Sequence, residues 1–246
     1  MADRVIVDIV GVRVKVVASE LSPGALREQF GHLVVGMPAD CTLVADGADL
    51  EEVLAAAVRL AIERAPGLLL HAGAVSRDGR AVLFPGESGT GKSTMTAACV
   101  QRGLDYVTDE MVALEIDSLA VAGFARPIML TGWAATRLGL DVPGIGGKLS
   151  VTPELLGGAT VPGTVRAAHV VSLRHGGAAT SLEPMTAGET LTALLRASFN
   201  HYRHGERAWS AAAELASSVQ GWRLDFAELA PAVDAVEAIT SSAVVA

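Results

Sequence analysis

The sequence predicts an α/β protein with a mixed β-sheet, and three observations support this prediction. Apolar residues make up 50% of the 246-residue chain, so it can bury a large core without a disulfide or metal. Segments with the two-residue period of strands alternate with segments that have the longer period of amphipathic helices. A glycine-rich loop of the pattern G-x4-G-K-S lies between a predicted strand and a predicted helix.

The chain divides into a small β-α region at 1–66 and a larger core at 67–246. In the first region the alternation from Val10 to Val16 predicts one half-buried strand. Asp49 and Glu52 have the spacing of a capping box, and the apolar stripe that follows predicts a helix. Pro66 and Gly67 end that helix.

The core alternates strands and helices. Its predicted strands are 68–75, 81–84, 106–108, 111–115, 120–130, 167–173, a short run from 182, and 221–225. Its predicted helices are 92–102, 133–138, 186–201, 208–219 and 227–239. Asp78 and Gly79 predict a hairpin turn between the first two strands, and we expect a glycine-rich loop at 143–148.

Charge and hydropathy exclude two classes of protein. The formal net charge is −8, which argues against nucleic-acid binding through clustered Lys and Arg. Mean hydropathy is +0.41, but the most apolar run, 53–62, is interrupted by Arg59 and is too short to span a bilayer. The first residues lack the apolar region of a signal peptide, and Cys41 and Cys99 lie far apart. We therefore expect a reduced, cytoplasmic protein.

The glycine-rich loop predicts a nucleotide phosphate site. Small residues allow backbone N–H groups to point at a phosphate, and the following helix adds its positive N-terminal dipole. Lys92 would reach the β- and γ-phosphates, and the Ser93 hydroxyl would bind Mg²⁺. The predicted phosphate-binding residues are Gly86, Glu87, Ser88, Gly89, Thr90, Gly91, Lys92, Ser93 and Thr94.

Three further side chains are candidates for the same site. We expect the strand after the P-loop helix to return beside the P-loop strand, which would bring Asp109 and Glu110 to the metal and the γ-phosphate. One carboxylate would hold the metal, and the other would accept a proton from an attacking hydroxyl. His71 precedes the hairpin, so its strand can bring it close to the phosphates.

These motifs resemble the bacterial HPr kinase/phosphorylase family, whose nucleotide core is related to the ATP-dependent phosphoenolpyruvate carboxykinases. The similarity covers His71-Ala72-Gly73, the P-loop, Arg102-Gly103 and Thr108-Asp109-Glu110. It implies that fold for the core, and a serine kinase that uses ATP and Mg²⁺ with Lys92 and His71 in its active site. The family has a second Asp as proton acceptor where this chain has Glu110, so the base is either Asp109 or Glu110.

The chain also departs from that family. Its E-[IV]-R-G-[LI]-G signature is absent from the sequence, and Arg126 is the candidate phosphate-facing cation in the corresponding region. The small β-α region stands where the family has a large N-terminal domain. The chain is more similar to short relatives from peptide biosynthetic clusters, some of which phosphorylate a serine of a lasso-peptide precursor. This similarity implies a peptide or protein acceptor and forward transfer without efficient phosphorolysis. It leaves a homo-oligomer open.

Two alternatives for the function remain open, a nucleotide-sensing interaction protein and a small-molecule kinase. Lys148 lies in the glycine-rich loop and is a candidate to close on phosphate or acceptor. A basic cluster between two predicted helices is either a solvated helix end or a docking point for an acidic peptide. Its members are His201, Arg203, His204 and Arg207.

Overall fold

The computed structural model describes residues 3–140, 144–145, 147–176 and 179–241, and it confirms the mixed α/β class. The N-terminal elements are β1 (Asp3–Ile9), β2 (Val12–Ala18), α1 (Pro23–Phe30), a 3-10 turn (Gly31–Leu33), β3 (Cys41–Ala45) and α2 (Leu50–Ile62). Strand β2 is central in a three-stranded sheet, antiparallel to β1 and parallel to β3.

The single strand predicted from Val10 to Val16 is wrong at its start. Val10 and Gly11 form the turn between β1 and β2, with φ angles of 48° and 85°. The alternation continues across a hairpin because both of its strands have the same period. The predicted capping box is confirmed, since the Glu52 N–H donates to the Asp49 carboxylate and the Asp49 N–H donates to the Glu52 carboxylate.

The core contains the remaining elements. Its strands are β4 (Leu68–Arg77), β5 (Arg80–Pro85), β6 (Asp105–Thr108), β7 (Met111–Leu114), β8 (Ala120–Gly123), β9 (Ile128–Thr131), β10 (Gly144–Ile145), β11 (Lys148–Val151), β12 (Val165–His175), β13 (Ser181–Met185) and β14 (Gln220–Phe226). Its helices are α3 (Lys92–Gln101), α4 (Gly132–Arg137), α5 (Ala187–Arg196), α6 (His201–His204), α7 (Glu206–Ser218) and α8 (Leu229–Ser241), with a 3-10 turn at Pro153–Leu156.

One mixed sheet organises the core. Its strands follow the order β13-β14-β12-β5-β4-β7-β8, and β6 pairs with β4 as well. Strands β5, β12 and β14 are parallel, whereas β4 is antiparallel to β5. Helices α3 and α8 cover one face of the sheet, and α5 and α7 cover the other. The P-loop therefore leaves β5 near the middle of the sheet.

The N-terminal elements share a hydrophobic core with the sheet. Buried side chains of β1, β2, α1 and α2 pack against Leu69, Met111, Ala113 and Phe124. Within the described residues, none of the helices is both long enough and apolar enough to cross a membrane.

The strand predicted at 120–130 is wrong because the chain bends within it. Strand β8 ends at Gly123 and β9 begins at Ile128. Between them the Arg126 N–H donates to the Phe124 carbonyl, and Pro127 has no N–H to donate to a neighbouring strand. In the loop predicted at 143–148, the described residues pair as β10 and β11, and 143 and 146 lie outside the described residues.

The helix predicted at 186–201 is also wrong after Arg196. Helix α5 ends at Arg196, and the next residues extend along β4 instead. The His71 N–H donates to the Ala197 carbonyl at 2.7 Å, and the Phe199 N–H donates to the Leu69 carbonyl at 2.9 Å. Backbone hydrogen bonds to β4 therefore override the helical pattern of this segment. The local periodicity of the sequence does not reveal such a long-range contact.

Gly123 allows β8 to lie against β6, and we expect Gly123→Ala to destabilise the fold. A Cβ atom at this position would lie 2.1 Å from the carbonyl oxygen of Val107, which is backbone and cannot rotate away. The free energy of unfolding should fall by about 1–3 kcal/mol. In a urea titration the midpoint should fall while the m-value stays constant.

Gly188→Ala is the matched control, because a Cβ at Gly188 meets no atom within 4 Å. Its urea midpoint should be unchanged or slightly higher. Equal midpoints for the two variants would contradict the close approach of β8 and β6.

Candidate active site

The P-loop forms a glycine-supported turn between β5 and α3. Gly89 and Gly91 have φ angles of 87° and 92°, which side-chain-bearing residues rarely adopt, and Gly91 is the N-cap of α3. A Cβ atom at either position would meet no described atom within 4 Å. Glycine is therefore required by the positive φ angle and not by contacts with neighbouring atoms. Such a turn at a helix N-terminus favours the binding of anions.

Lys92 is held inside this loop. Its side chain is buried, and Nζ donates to the carbonyl oxygens of Gly86 at 2.8 Å and Glu87 at 2.6 Å. Burial lowers the pKa of Lys92, and the nearby carboxylates of Asp109, Glu110 and Glu87 oppose this effect. The loop thus places an ammonium group beside the predicted phosphate cradle.

Asp109 and Glu110 form the short connection between β6 and β7. The Thr108 hydroxyl fixes this connection, since it accepts from the N–H groups of Glu110 and Met111 and donates to the Phe124 carbonyl. The expectation that this strand lies beside the P-loop strand is wrong, because β4 lies between β5 and β6. Both β5 and β6 are antiparallel to β4, so both end at the same edge of the sheet.

Asp109 is buried against the P-loop helix. Its Oδ1 accepts a hydrogen bond from the Tyr106 hydroxyl at 3.1 Å, and the Ser93 side chain lies close to the same carboxylate. Burial raises the pKa of Asp109, although the positive charge of Arg126 and the hydroxyl groups of Ser93 and Tyr106 act in the opposite direction. The structure thus places the predicted P-loop hydroxyl near one of the two predicted acids.

Tyr106 is a site residue that our sequence analysis did not identify. Its hydroxyl also lies 2.8 Å from the Arg126 carbonyl oxygen, so one proton serves two acceptors. The sequence does carry a signal for it, because a buried tyrosine needs a partner for its hydroxyl and an acid follows three residues later.

Glu110 forms an ion pair with Arg126, with 2.5 Å between Oε2 and Nη2. The Glu110 side chain is 40% exposed, whereas that of Arg126 is 15% exposed. The guanidinium of Arg126 lies over the Phe124 ring, and its Nε is buried without a hydrogen-bond partner among the described residues. A buried N–H that lacks a protein acceptor makes Arg126 a candidate ligand for an anion.

His71 lies on β4 opposite Met111, next to the acidic connection. Burial lowers the pKa of His71, the charge of Lys92 lowers it further, and Glu110 raises it. The Phe199 ring packs at 5.5 Å from the imidazole. His71 is therefore neutral at physiological pH and has the P-loop lysine on one side and an aromatic ring on the other.

These side chains meet in one cavity of about 620 Å³. Lys148 also lines it, together with Trp133 and Arg137, which the sequence analysis did not single out. The predicted site residues that line the cavity are His71, Ser88, Gly89, Thr90, Gly91, Lys92, Ser93, Thr94, Asp109, Glu110, Arg126 and Lys148. Gly86 and Glu87 lie behind it, where their carbonyls hold Lys92.

The oxygen atoms that line the cavity suit Mg²⁺ bound together with a nucleotide better than a metal ion held by protein side chains alone. Among the residues described, no group of three or more His, Cys, Asp or Glu side chains could hold a metal ion. Ser93 and Asp109 instead offer one hydroxyl and one carboxylate. Mg²⁺ is commonly held by one or two carboxylates together with substrate phosphates and waters.

Comparison with known proteins gives limited information. No protein-family model and no curated protein matches the chain. Among solved structures, the chain is similar to the Hpr(Ser) kinase/phosphatase from Coxiella burnetii, with 14% identity over 70% of this chain and 89% of that chain and a TM-score of 0.36. This overall similarity is low, and the interpretation of the cavity depends on the geometry of its own residues.

We expect the replacement of Lys92 by methionine to raise the pKa of His71. Burial is the larger cause of the low His71 pKa and remains in Lys92→Met, but the repulsion from the ammonium group is removed. An NMR titration of the imidazole Cε1 protons should show His71 titrating at higher pH in the variant than in the wild type.

His169 is the internal control in the same spectra. Burial and the charge of Arg80 lower its pKa, and Lys92 is not among the causes. Its titration should therefore be the same in both proteins. An unchanged His71 pKa in Lys92→Met would show that the two side chains are not neighbours in solution.

Proposed function

We propose that this protein is an ATP- and Mg²⁺-dependent kinase that transfers the γ-phosphoryl group to a serine hydroxyl of a peptide or protein. The observation that carries the proposal is that Ser93 of the P-loop and the buried carboxylate of Asp109 line the same cavity as Lys92. This pair places a hydroxyl and a carboxylate, both suitable for Mg²⁺, at the N-terminus of the helix that would bind the phosphates. A ribosomal peptide precursor of the lasso type is an acceptor to test.

Each cavity residue has a proposed role. Bound Mg²⁺ would neutralise phosphate charge, and Ser93 and Asp109 would hold it. Lys92 binds the β- and γ-phosphates, and Arg126 offers its guanidinium to the transferring group. His71, neutral beside Lys92, orients the acceptor without adding charge. Catalysis in this arrangement comes from positioning and electrostatic stabilisation, as phosphoryl transfer requires.

Burial separates the proposed roles of the two acids. Asp109 is enclosed and already accepts a hydrogen bond from Tyr106, so an acceptor hydroxyl has little access to it. Glu110 is 40% exposed in the cavity and is therefore the proposed base. The serine oxygen forms a bond to the γ-phosphorus, the bond to the bridging oxygen breaks with its electrons leaving on ADP, and the serine proton passes to Glu110.

The ion pair between Glu110 and Arg126 couples proton transfer to Glu110 with stabilisation of the charge on the transferring phosphoryl group. While Glu110 is ionised, it holds the Arg126 guanidinium at 2.5 Å. Protonation of Glu110 removes this attraction at the moment when negative charge on the phosphoryl group needs a cation. In the part of the chain that the structure describes, no protein acceptor competes for the buried Nε of Arg126.

Lys92→Ala and Asp109→Asn should each reduce phosphoryl transfer by at least about 10²-fold, because each removes a charge that stabilises the transition state. Transfer to serine-containing peptides with ATP and Mg²⁺ is measured by mass spectrometry as the gain of one phosphoryl group. Asp46→Asn, an exposed acid far along the chain from the cavity, is the matched control and should retain full activity. Full activity in folded Asp109→Asn would remove Asp109 from the mechanism.

Glu110→Gln tests the assignment of the base. We expect kcat to fall by about 10²–10⁴-fold with little change in ATP affinity, since the amide cannot accept the proton. A normal kcat in Glu110→Gln together with a strong loss in Asp109→Asn would make Asp109 the base. If the wild type binds ATP tightly but transfers phosphate to no serine substrate, the protein is a nucleotide sensor instead.

A further inference from the structure

The cavity at the P-loop has a second, less polar end. Its wall at this end comes from the last residues of β12 and β14 and from the start of α8, and we call it the β12–β14 wall. The residues of this wall are His175, Phe226, Ala227 and Leu229. The proposed phosphate chemistry gives these four residues no role. A cavity that joins a charged end to an apolar end suits a small ligand that has both characters.

The strand order places the β12–β14 wall and the acids on opposite sides of the P-loop strand. Strand β12 pairs with one edge of β5, and β4 pairs with the other edge. Strands β6 and β7, which flank Asp109 and Glu110, lie beyond β4, whereas β14 lies beyond β12. The P-loop that leaves β5 therefore lies between the acids and the β12–β14 wall.

Strand β12 extends past the end of β5. Val170 pairs with Leu83, after which β12 continues for five residues and β5 for only two. At about 3.3 Å per residue, the tip of β12 therefore lies about 10 Å beyond the end of β5. Phe226 is the partner of His175 in the register of β12 and β14, so both rings lie beyond the point where the P-loop begins.

Both rings also lie on the face of the sheet that α3 covers. Leu173 and Leu224 belong to the hydrophobic core under α3 and α8. Side chains two residues apart on a strand point to the same face, so His175 and Phe226 point to this face as well. The β12–β14 wall and the N-terminus of the P-loop helix therefore border one cavity from the same side of the sheet.

The imidazole of His175 has at least one face that Phe226 does not cover. The two ring centroids lie 5.4 Å apart, and the angle between the ring planes is 78°. In such an edge-to-face pair each ring covers at most one face of the other. His175 is exposed, whereas Phe226 is 5% exposed. The buried phenyl ring thus supports an exposed imidazole at the border of the cavity.

We infer that the nucleotide lies across the P-loop with its γ-phosphate towards Asp109 and its base on the β12–β14 wall, stacked on His175. This inference rests on the proposed binding of ATP and adds the direction of the nucleotide and the residue that holds its base. With the terminal phosphate on the side of the acids, the nucleoside extends to the other side of β5. Nucleobases stack on histidine and other aromatic rings through their flat faces, and Ala227 and Leu229 add apolar contacts.

The wall formed by β9 and α4 is the alternative position for the base. It contains Trp133, which is 60% exposed, and Arg137, whose guanidinium lies 5.2 Å from the centre of the Trp133 ring. This wall begins shortly after Arg126, which is paired with Glu110. A base bound there would lie on the side of the acids, where the acceptor has to approach the γ-phosphate.

The test compares the binding of two ligands in the presence of Mg²⁺ by isothermal titration calorimetry. One ligand is the non-hydrolysable ATP analogue AMP-PNP, and the other is tripolyphosphate, which has no base. His175→Ala should lower the affinity for AMP-PNP by about tenfold and leave the affinity for tripolyphosphate unchanged. His175→Phe keeps a flat ring and should bind both ligands as the wild type does.

Arg174→Ala is the matched control. Arg174 precedes His175 and its side chain is 64% exposed, but it points to the other face of the sheet and is not among the described residues that line the cavity. Loss of its charge acts on both ligands alike, so the ratio of the two affinities should stay that of the wild type. Trp133→Ala should also keep this ratio.

The outcomes separate this inference from the proposed kinase function. An unchanged ratio in His175→Ala, or an equal loss in His175→Phe, overturns the base site even if the protein phosphorylates serine. A loss of AMP-PNP binding in Trp133→Ala and not in His175→Ala places the base on the other wall and overturns it as well. Binding of AMP-PNP that depends on the ring at position 175, without phosphoryl transfer to any serine substrate, supports the base site and contradicts the kinase function.

Discussion

The arrangement of the site depends on one buried group, the carboxylate of Asp109, which lies beside Ser93 of the P-loop. Removing a carboxylate from water costs several kcal/mol unless hydrogen bonds and charges compensate. Here the Tyr106 hydroxyl donates to it, and the Ser93 side chain and the positive charge of Arg126 lie nearby. Burial still raises the pKa of Asp109, so the compensation is incomplete. A nearby divalent cation would supply the missing charge, which is the role that the proposed function gives this pair.

The strands around Asp109 are arranged to hold this buried acid in place. Strands β6 and β7 both pair with β4. The connection that carries Asp109 and Glu110 is therefore a short kink between two segments that lie along the same strand. Thr108 closes the kink with three hydrogen bonds, one of them to Phe124 beyond β8. Gly123 permits the close approach of β8 that this bond needs. A position far from the P-loop in sequence therefore controls where the carboxylate points.

Local patterns predicted the P-loop strand, turn and helix well, because each depends on residues close in sequence. Non-local pairing produced the errors. The segment after Arg196 has helical periodicity, yet Asn200 and the edge of β4 take it into an extended conformation. The same limit applies to the site. The exposure of Asp109 and Glu110 differs although the two acids are adjacent in sequence, and the sequence pattern does not reveal this difference.

The same strand that supports the acids also binds the segment that follows α5. His71 lies on β4 between the acidic connection on one side and Ala197 and Phe199 on the other. Its neutral ring therefore contacts both the charged and the apolar halves of the surface. A charged residue at position 71 would disturb the ion pair between Glu110 and Arg126. Its charge would also lose hydration beside the Phe199 ring, which is unfavourable. A half-buried, neutral imidazole satisfies both neighbours, which explains why a histidine suits a position between a charged connection and an aromatic ring.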